Sequence, residues 1–100
     1  MVQSFDRESL KLFHTLLPSI PIGVLVKNSG RGISKKELLS FSQYASYVNP
    51  KITMVNQRLI SRLHHHGFKT IIWTVKNKYE MKAIENFQLD GIVSDFPDYL

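Results

Sequence analysis

The sequence contains no cysteine among its 100 residues. This absence excludes a disulfide framework, a zinc ribbon, an iron–sulfur site and a thiol nucleophile. It leaves the redox compartment open, because a chain without cysteine survives in reducing and oxidising surroundings alike. The length allows one domain at most, with a core near the thin end for a domain of about 100–150 residues.

Long apolar runs and acidic residues are also scarce. No stretch approaches the roughly 18 uninterrupted apolar residues of a membrane-spanning helix. The segment Met1–Asp6 has neither a basic region nor an apolar region, so we do not expect a signal peptide. The chain carries 8 Asp and Glu against 13 Lys and Arg. Its hydrophobic content of 43% excludes a disordered chain, so the composition indicates a small, mildly basic globular domain.

Five short apolar runs recur at intervals of 20 to 24 residues. This spacing suits a strand followed by a crossover helix and two loops. Two of the runs are almost wholly apolar, which is typical of parallel strands covered on both faces. We therefore predict an α/β fold of the form β(αβ)₄. The predicted strands are Val2–Phe5, Ile22–Val26, Tyr47–Asn49, Thr70–Val75 and Gly91–Ser94.

Helix start and stop signals separate these runs. The segment Ser34–Glu37 has the sequence of a capping box, and Pro18 and Gly67 are placed to end the first and third helices. The other openings each offer a short polar side chain that can cap a helix. The residues predicted to open the four helices are Asp6, Ser34, Thr53 and Asn77.

Carboxylates that could carry acid–base or metal chemistry are few. Asp95 follows the last predicted strand, where α/β folds place ligands and catalytic groups, and Asp98 comes shortly after it. Capping of a following helix is the favoured interpretation of Asp95. A metal site needs several converging oxygens, and the sequence does not supply an obvious set.

Histidine-rich and basic segments give weak signals. The run His64–His66 lies at the end of a predicted helix, where successive side chains point about 100° apart and do not converge on one ion. A surface helix end is the simpler interpretation. The loop Asn28–Gly32, with lysines nearby, could receive an anion or could be solvated. The basic residues are scattered, so we do not expect a nucleic-acid partner despite a pI of about 9.6.

Two aromatic residues lie on predicted strands. Trp73 interrupts an aliphatic strand, and Phe5 ends the first strand beside Ser4. In a closed barrel, alternate strand residues point inward, and those near the carboxyl ends line the ligand mouth. Simple burial in a core is the alternative interpretation for both residues.

Five motifs together resemble the C-terminal part of the glycerophosphodiester phosphodiesterase family. They occur in order as Gln3–Asp6, Ile22–Val26, Val48–Pro50, Trp73–Val75 and Asp90–Pro97. The corresponding family stretches read S-F-D, an apolar strand, a short N-P strand, W-T-V-N and D-G-I-x-T-D-x-P. The resemblance covers essentially the whole chain, residues 1–100.

Two departures from the family pattern are visible. Ser94 stands where the family usually has Thr, and Lys76 stands where it usually has Asn. Both changes are mild. Lys76 nevertheless places a charge beside the expected pocket mouth and could alter substrate preference.

The resemblance implies a (β/α)₈ TIM barrel of which this chain supplies about the last five strands. It implies hydrolysis of glycerophosphodiesters to glycerol 3-phosphate and an alcohol, assisted by a divalent metal (Mg or Ca). The family's H-R-G, E-x-D and E-I-K motifs are absent here, so we assign no catalytic and no metal-binding residue to this chain, and none to Asp95. By analogy, the residues expected to line the substrate pocket are Ser4, Phe5, Leu25 and Trp73.

These expectations describe a C-terminal segment that lacks the catalytic machinery. We predict that the isolated chain is catalytically silent. Its expected partners are the missing N-terminal half of the barrel, or a second copy bound through open sheet edges. We expect a cytoplasmic location, or the cytoplasmic face of a membrane if the parent carries a membrane domain. The alternatives are a non-catalytic α/β interaction module and a flavodoxin-like sheet that binds a small anion at Asn28–Gly32.

Overall fold

The computed structural model describes residues 1–27 and 32–94. Strands and helices alternate along the chain, and a short 3₁₀ turn, Ile52–Met54, precedes the third helix. The predicted alternation is therefore confirmed within these residues. The strands are β1 (Val2–Ser4), β2 (Ile22–Val26), β3 (Tyr47–Pro50), β4 (Ile71–Val75) and β5 (Gly91–Ser94). The helices are α1 (Arg7–Leu16), α2 (Lys35–Phe41), α3 (Gln57–His65) and α4 (Lys78–Ile84).

The strands lie parallel in the order of the sequence. β1 pairs with β2 and β2 with β3, and β4 pairs with β5. Two parallel bridges, Tyr47 with Lys69 and Lys51 with Trp73, join β3 to β4. The order runs from β1 to β5 without the reversal that a flavodoxin-like sheet requires, so that alternative does not fit.

Local capping explains where most helices begin. The Asp6 carboxylate accepts the backbone N–H groups of Glu8 and Ser9 at the start of α1. Ser34 and Glu37 make both hydrogen bonds of the capping box. The prediction for the third helix was wrong, because the Asn56 side chain caps α3 and Thr53 lies in the 3₁₀ turn.

One side of the sheet, which we call the helix face, packs against the helices. β2 directs Ile22, Val24 and Val26 to this side, and all three are buried. They join a cluster that includes Leu38 and Phe41 of α2. A smaller cluster covers β4 and β5 and consists of Ile60, Ile72, Val75 and Ile84. Burial of these apolar side chains is the main stabilising contribution to the fold.

Candidate functional site

The opposite side of the sheet, which we call the open face, carries the aromatic residues predicted for the pocket. Successive strand residues alternate between faces, so Leu25 points away from the buried Val24 and Val26. Trp73 likewise points away from the buried Ile72. Phe5 follows β1 at the same carboxyl edge and is 48% exposed. Three of the four predicted pocket residues therefore share one side of the sheet.

Phe5 and Trp73 contact each other across the open face. Their ring centroids are 5.6 Å apart, and the rings meet edge to face at 81°. Phe5 follows β1 and Trp73 lies on β4, and a flat sheet would separate these strands by about 14 Å at the usual spacing. The contact therefore indicates that the sheet curls towards its open face and makes it concave.

Asn49 fixes Trp73 in this concave face. The indole Nε1–H donates to the backbone carbonyl of Asn49 at 2.7 Å. The Asn49 side chain is fully buried; it accepts the backbone N–H of Ile71 at 3.0 Å and donates to Gln3 Oε1 at 2.9 Å. One residue of β3 thus connects β1 with β4, and both the oxygen and the nitrogen of its buried amide have a hydrogen-bond partner.

Gly23 leaves room for the hydrogen bond between Gln3 and Asn49. A Cβ at this position would lie 2.7 Å from Asn49 Nδ2 and 3.0 Å from Met1 Sδ. Gly23 occupies β2, between the strands that carry the two amides. The glycine therefore allows the side chains of β1 and β3 to meet above β2, which is the close approach that a strand glycine often marks.

Ser4 lies on the other side of the strand from Phe5. Its register partner is Val24, a buried residue of the helix face. The Ser4 hydroxyl accepts the backbone N–H of Asp6 at 3.0 Å. Ser4 therefore supports the turn into α1, and its position as a pocket-lining residue stays a prediction.

Lysine side chains surround the aromatic pair at the carboxyl edge. Lys27 Nζ lies 5.5 Å from the centroid of the Phe5 ring. Lys51 and Lys76 line a cavity of about 340 Å³ with Trp73 and Glu80. The Glu80 carboxylate accepts the backbone N–H of Lys76 at 2.7 Å. The site thus combines exposed cations with an apolar wall, by which we mean Phe5, Leu25 and Trp73.

A second cavity, of about 230 Å³, lies on the other side of Phe5. Its lining includes an ion pair between Arg7 and Glu37 at 3.0 Å. Hydrogen bonds from the Ser34 backbone N–H and hydroxyl, followed by Arg7, lower the pKa of the Glu37 carboxyl, although partial burial opposes them. The pair neutralises itself, so Lys27 supplies the cavity's remaining charge among its described lining residues.

A larger cavity, of about 450 Å³, is lined by Gly32 and Ile33 ahead of α2 and by residues from Met54 to Arg62, and its lining does not include the aromatic pair. Two of its polar lining residues already serve the fold. Asn56 caps α3, and Arg62 donates to the backbone carbonyl of Ile33. We therefore place the candidate site at the aromatic pair and not in the larger cavity.

The histidine run predicted at the end of the third helix lies apart from the aromatic pair. His64 and His65 end α3, and His64 Nε2 lies 3.6 Å from the Asp90 carboxylate. Asp90 also accepts the backbone N–H of Thr70 at 2.7 Å, so this contact ties α3 to the starts of β4 and β5. Residues 28–31, Asp95 and Asp98 lie outside the described residues.

The described residues do not fit a divalent metal. Within residues 1–27 and 32–94, no three side chains of His, Asp or Glu come together in a group that could hold an ion. Such a site needs several converging oxygen or nitrogen ligands. In the same part of the chain, no helix combines the length and the apolar character needed to cross a bilayer.

Sequence reasoning did not find the polar residues that organise this site. Asn49 and Gln3 are 46 positions apart, and no local pattern relates them. Two signals were available: a glycine inside the apolar strand β2, and an asparagine inside β3. An isolated strand glycine suggests close backbone approach, and a buried amide must find partners.

Comparison with known proteins gives a family match and curated relatives. Residues 1–99 match the glycerophosphoryl diester phosphodiesterase family. The protein YhdW of Bacillus subtilis is 34% identical over 100 residues, which are all of this chain and 41% of YhdW. A glycerophosphodiester phosphodiesterase of Bacillus altitudinis is 31% identical over 98% of this chain and 40% of its own length. The chain thus spans about two fifths of these relatives.

Solved structures share the fold at lower identity. An Oleispira antarctica phosphodiesterase, solved with the product sn-glycerol-3-phosphate, aligns with a TM-score of 0.82 and 19% identity. The alignment covers 97% of this chain and 38% of that one. A glycerophosphodiester phosphodiesterase of Parabacteroides distasonis aligns with a TM-score of 0.75 and 17% identity, over 97% and 39% of the two chains. These likenesses establish a common fold.

Proposed function

The chain belongs to the glycerophosphoryl diester phosphodiesterase family, and from this premise we propose that residues 1–100 act as the C-terminal part of such an enzyme. The whole enzyme would hydrolyse glycerophosphodiesters to glycerol 3-phosphate and an alcohol. The observation that carries the proposal for this chain is the contact between Phe5 and Trp73 at the carboxyl edge of a parallel sheet. Ligands of parallel α/β folds bind at that edge.

The same proposal assigns the chain to the last five strands of a (β/α)₈ TIM barrel. Two features support it: the strands run parallel in sequential order, and the sheet curls towards its open face. The concave face would then form part of the barrel lumen, and its carboxyl edge would form part of the pocket mouth.

The apolar wall of Phe5, Leu25 and Trp73 is the contribution we assign to this chain. It would receive the carbon skeleton of the glycerol or alcohol part and exclude water from that side. Ser4 would act behind the wall by holding the turn after β1. Diester hydrolysis needs a charge-neutralising cation and a proton donor for the leaving group. We assign the donor, and the ligands of a divalent metal (Mg or Ca), to residues outside this chain.

An activity assay by complementation tests this division of roles. We expect the purified 100-residue chain to release no glycerol 3-phosphate from a glycerophosphodiester in Mg²⁺ or Ca²⁺. We expect release after it is mixed with the N-terminal three fifths of YhdW, and loss of that release with Trp73→Ala. Release by the chain alone would contradict the proposed division. A stable complex without any release would favour the non-catalytic interaction module.

The outer strands provide the surfaces for assembly in this proposal. In the part of the chain that the structure describes, β1 pairs with β2 alone and β5 with β4 alone. Unpaired strand edges invite a further strand, so we propose that they bind the N-terminal half of the barrel or a second copy. Sedimentation at rising concentration should show self-association that the YhdW segment suppresses. A cytoplasmic location, or the cytoplasmic face of a membrane, belongs to the same proposal.

A further inference from the structure

We propose that Lys27, Lys51 and Lys76 form an anion-binding rim that selects glycerophosphodiesters whose alcohol part carries a further negative charge. This inference rests on the proposed function and specifies its substrate class. The proposed function gives a role to the apolar wall but none to the exposed lysines around it, and the inference concerns these lysines. A quaternary ammonium alcohol part would be disfavoured at the same position.

The sheet register places these lysines at one edge. Val26 pairs with Pro50, so the next residues, Lys27 and Lys51, lie side by side. The backbone N–H of Lys51 donates to the Val26 carbonyl at 2.9 Å, which fixes this alignment. Lys51 also pairs with Trp73 on β4. Residues paired in this way point to the same face, so Lys27, Lys51 and Trp73 form one row across three strands.

Lys76 completes the rim on the far side of Trp73. It follows β4 directly and lines the 340 Å³ cavity together with Lys51 and Trp73. Its backbone N–H is held by the Glu80 carboxylate at 2.7 Å, which anchors the start of the Lys76 side chain. Two of the rim lysines therefore line one cavity together with Trp73.

The rim lysines lack an ion-pair partner within the part of the chain that the structure describes. Among residues 1–27 and 32–94, the ion pairs are Arg7–Glu37 and Lys11–Glu8, and His64 lies near the Asp90 carboxylate. None of the three rim lysines takes part in them. Glu80 is the single carboxylate among the residues that line the 340 Å³ cavity. Among the described lining residues, two lysines thus face one carboxylate, and this excess attracts an anionic group placed against the apolar wall.

The contact of Lys27 with Phe5 argues against a cationic alcohol part. Aromatic faces bind quaternary ammonium groups through cation–π attraction. Here an ammonium of the chain itself lies 5.5 Å from the Phe5 centroid. A choline group approaching that ring would compete with Lys27 and be repelled by it, whereas a phosphate or carboxylate would gain a partner.

Binding of three probes to the 100-residue chain tests the inference. The probes are bis(glycerophospho)glycerol with an anionic alcohol part, glycerophosphoglycerol with a neutral one, and glycerophosphocholine with a cationic one. Trp73 is the only tryptophan of the sequence, so its fluorescence reports on the wall directly. We expect affinity to fall in the order given, and the preference to shrink as salt screens the charges.

Charge-removing variants assign the preference to the rim. Lys51→Gln and Lys76→Gln should each narrow the affinity ratio of the anionic to the cationic probe by about threefold, as expected for exposed charges. Lys27→Gln should act mainly by raising the affinity for the cationic probe. Lys69→Gln is the matched control, because Lys69 also lies over a ring, Tyr47 at 5.8 Å, but at the opposite edge of the sheet. It should leave the ratio unchanged.

The outcomes separate this inference from the proposed function. Equal affinity for the three probes would overturn the charge preference while leaving the apolar wall intact. If no probe changes Trp73 fluorescence or binds by calorimetry, while the same chain still restores glycerol 3-phosphate release with the YhdW segment, the rim is overturned and the proposed function stands. If Lys69→Gln reduced the preference as much as Lys51→Gln, the preference would come from the net charge of the chain. That result would overturn the assignment to the three rim lysines.

Discussion

The two faces of the sheet are built from different chemistry. The helix face is closed, and its strands contribute mainly aliphatic side chains, with Val24, Val48 and Ile72 fully buried. The open face combines aromatic rings, a buried amide and lysines, and Phe5 remains half exposed. Alternation along the same strands produces both faces, since each strand residue contributes to one side or the other.

This difference separates stability from binding within each strand. The helix face removes apolar area from water, which is the dominant favourable contribution to folding. The open face holds an exposed ring against another ring and keeps cations in solvent, and neither adds much to the core. We expect substitutions on the first face to change stability mainly, and substitutions at the carboxyl edge of the second to change ligand affinity.

The largest expected effect comes from the helix face. Phe41 of α2 is 1% exposed, and Phe41→Ala should lower the free energy of unfolding by about 3–5 kcal/mol through lost burial and a cavity. Leu39→Ala is the control, because Leu39 is 52% exposed and its change should stay within about 0.5 kcal/mol. Urea unfolding measures both. If Phe41→Ala does not fold, Phe41→Leu should give a smaller, measurable loss; equal effects at Phe41 and Leu39 would contradict the comparison.

The second prediction asks whether the open face also contains a structural element. Asn49→Leu keeps the side-chain volume but leaves the Ile71 N–H without its acceptor, so it should cost about 1–3 kcal/mol. Gln3→Ala removes only the exposed partner of the same amide and should cost less than half as much. Urea unfolding again supplies the measurement. Equal losses would show that the bond to Ile71 has no special weight.

The third prediction concerns the space above β2. Gly23→Ala should lower the free energy of unfolding by about 1–3 kcal/mol, because the new Cβ would overlap the Asn49 amide. Gly91→Ala provides a matched strand control, since its closest contact would be 3.4 Å from Ile71. Thermal unfolding of the two variants should separate them. A stable Gly23→Ala chain would mean that the hydrogen bond between Gln3 and Asn49 is dispensable.

The smallest expected effect is a pH dependence at the carboxyl edge. The pKa of Glu37 is lowered from its usual 4.5 in the folded chain, so its stabilising effect is present above that pH and is lost as the pH falls through the folded-state pKa. The free energy of unfolding of the chain should fall as the pH is lowered through this range. In Glu37→Gln this fall should be smaller, by less than about 1 kcal/mol. Arg7→Gln should keep most of this pH dependence, because the hydrogen bond from the Ser34 backbone N–H lowers the pKa of Glu37 more than Arg7 does. If Arg7→Gln abolished the pH dependence completely, the dependence would belong to the ion pair between Arg7 and Glu37.

Local features of the fold could be read from the sequence. Asp6, Ser34 and Asn77 cap helices as predicted, because a cap depends on hydrogen bonds within three residues. The prediction that Thr53 caps the third helix was wrong, because Asn56, three residues later, also offers a capping oxygen and takes that role. Met54 N–H bonds to the Lys51 carbonyl, which keeps Thr53 inside a 3₁₀ turn.

The site could be predicted only in part. Phe5, Leu25 and Trp73 follow from motif and strand parity, and the structure places them on one face. The curl of the sheet and the Asn49 hydrogen bonds join residues more than 20 positions apart. No local pattern encodes such pairings.

The junction between β3 and β4 has a dynamic consequence. There the Asn49 side chain receives the Ile71 N–H in place of a backbone carbonyl, and the smaller apolar cluster lies beyond it. Fewer buried contacts favour local opening. The segment from β4 to β5 should therefore unfold as one cooperative unit while β1 to β3 stay folded. Its amide protons would exchange with solvent together, and the Trp73 side of the pocket would be the first to come apart.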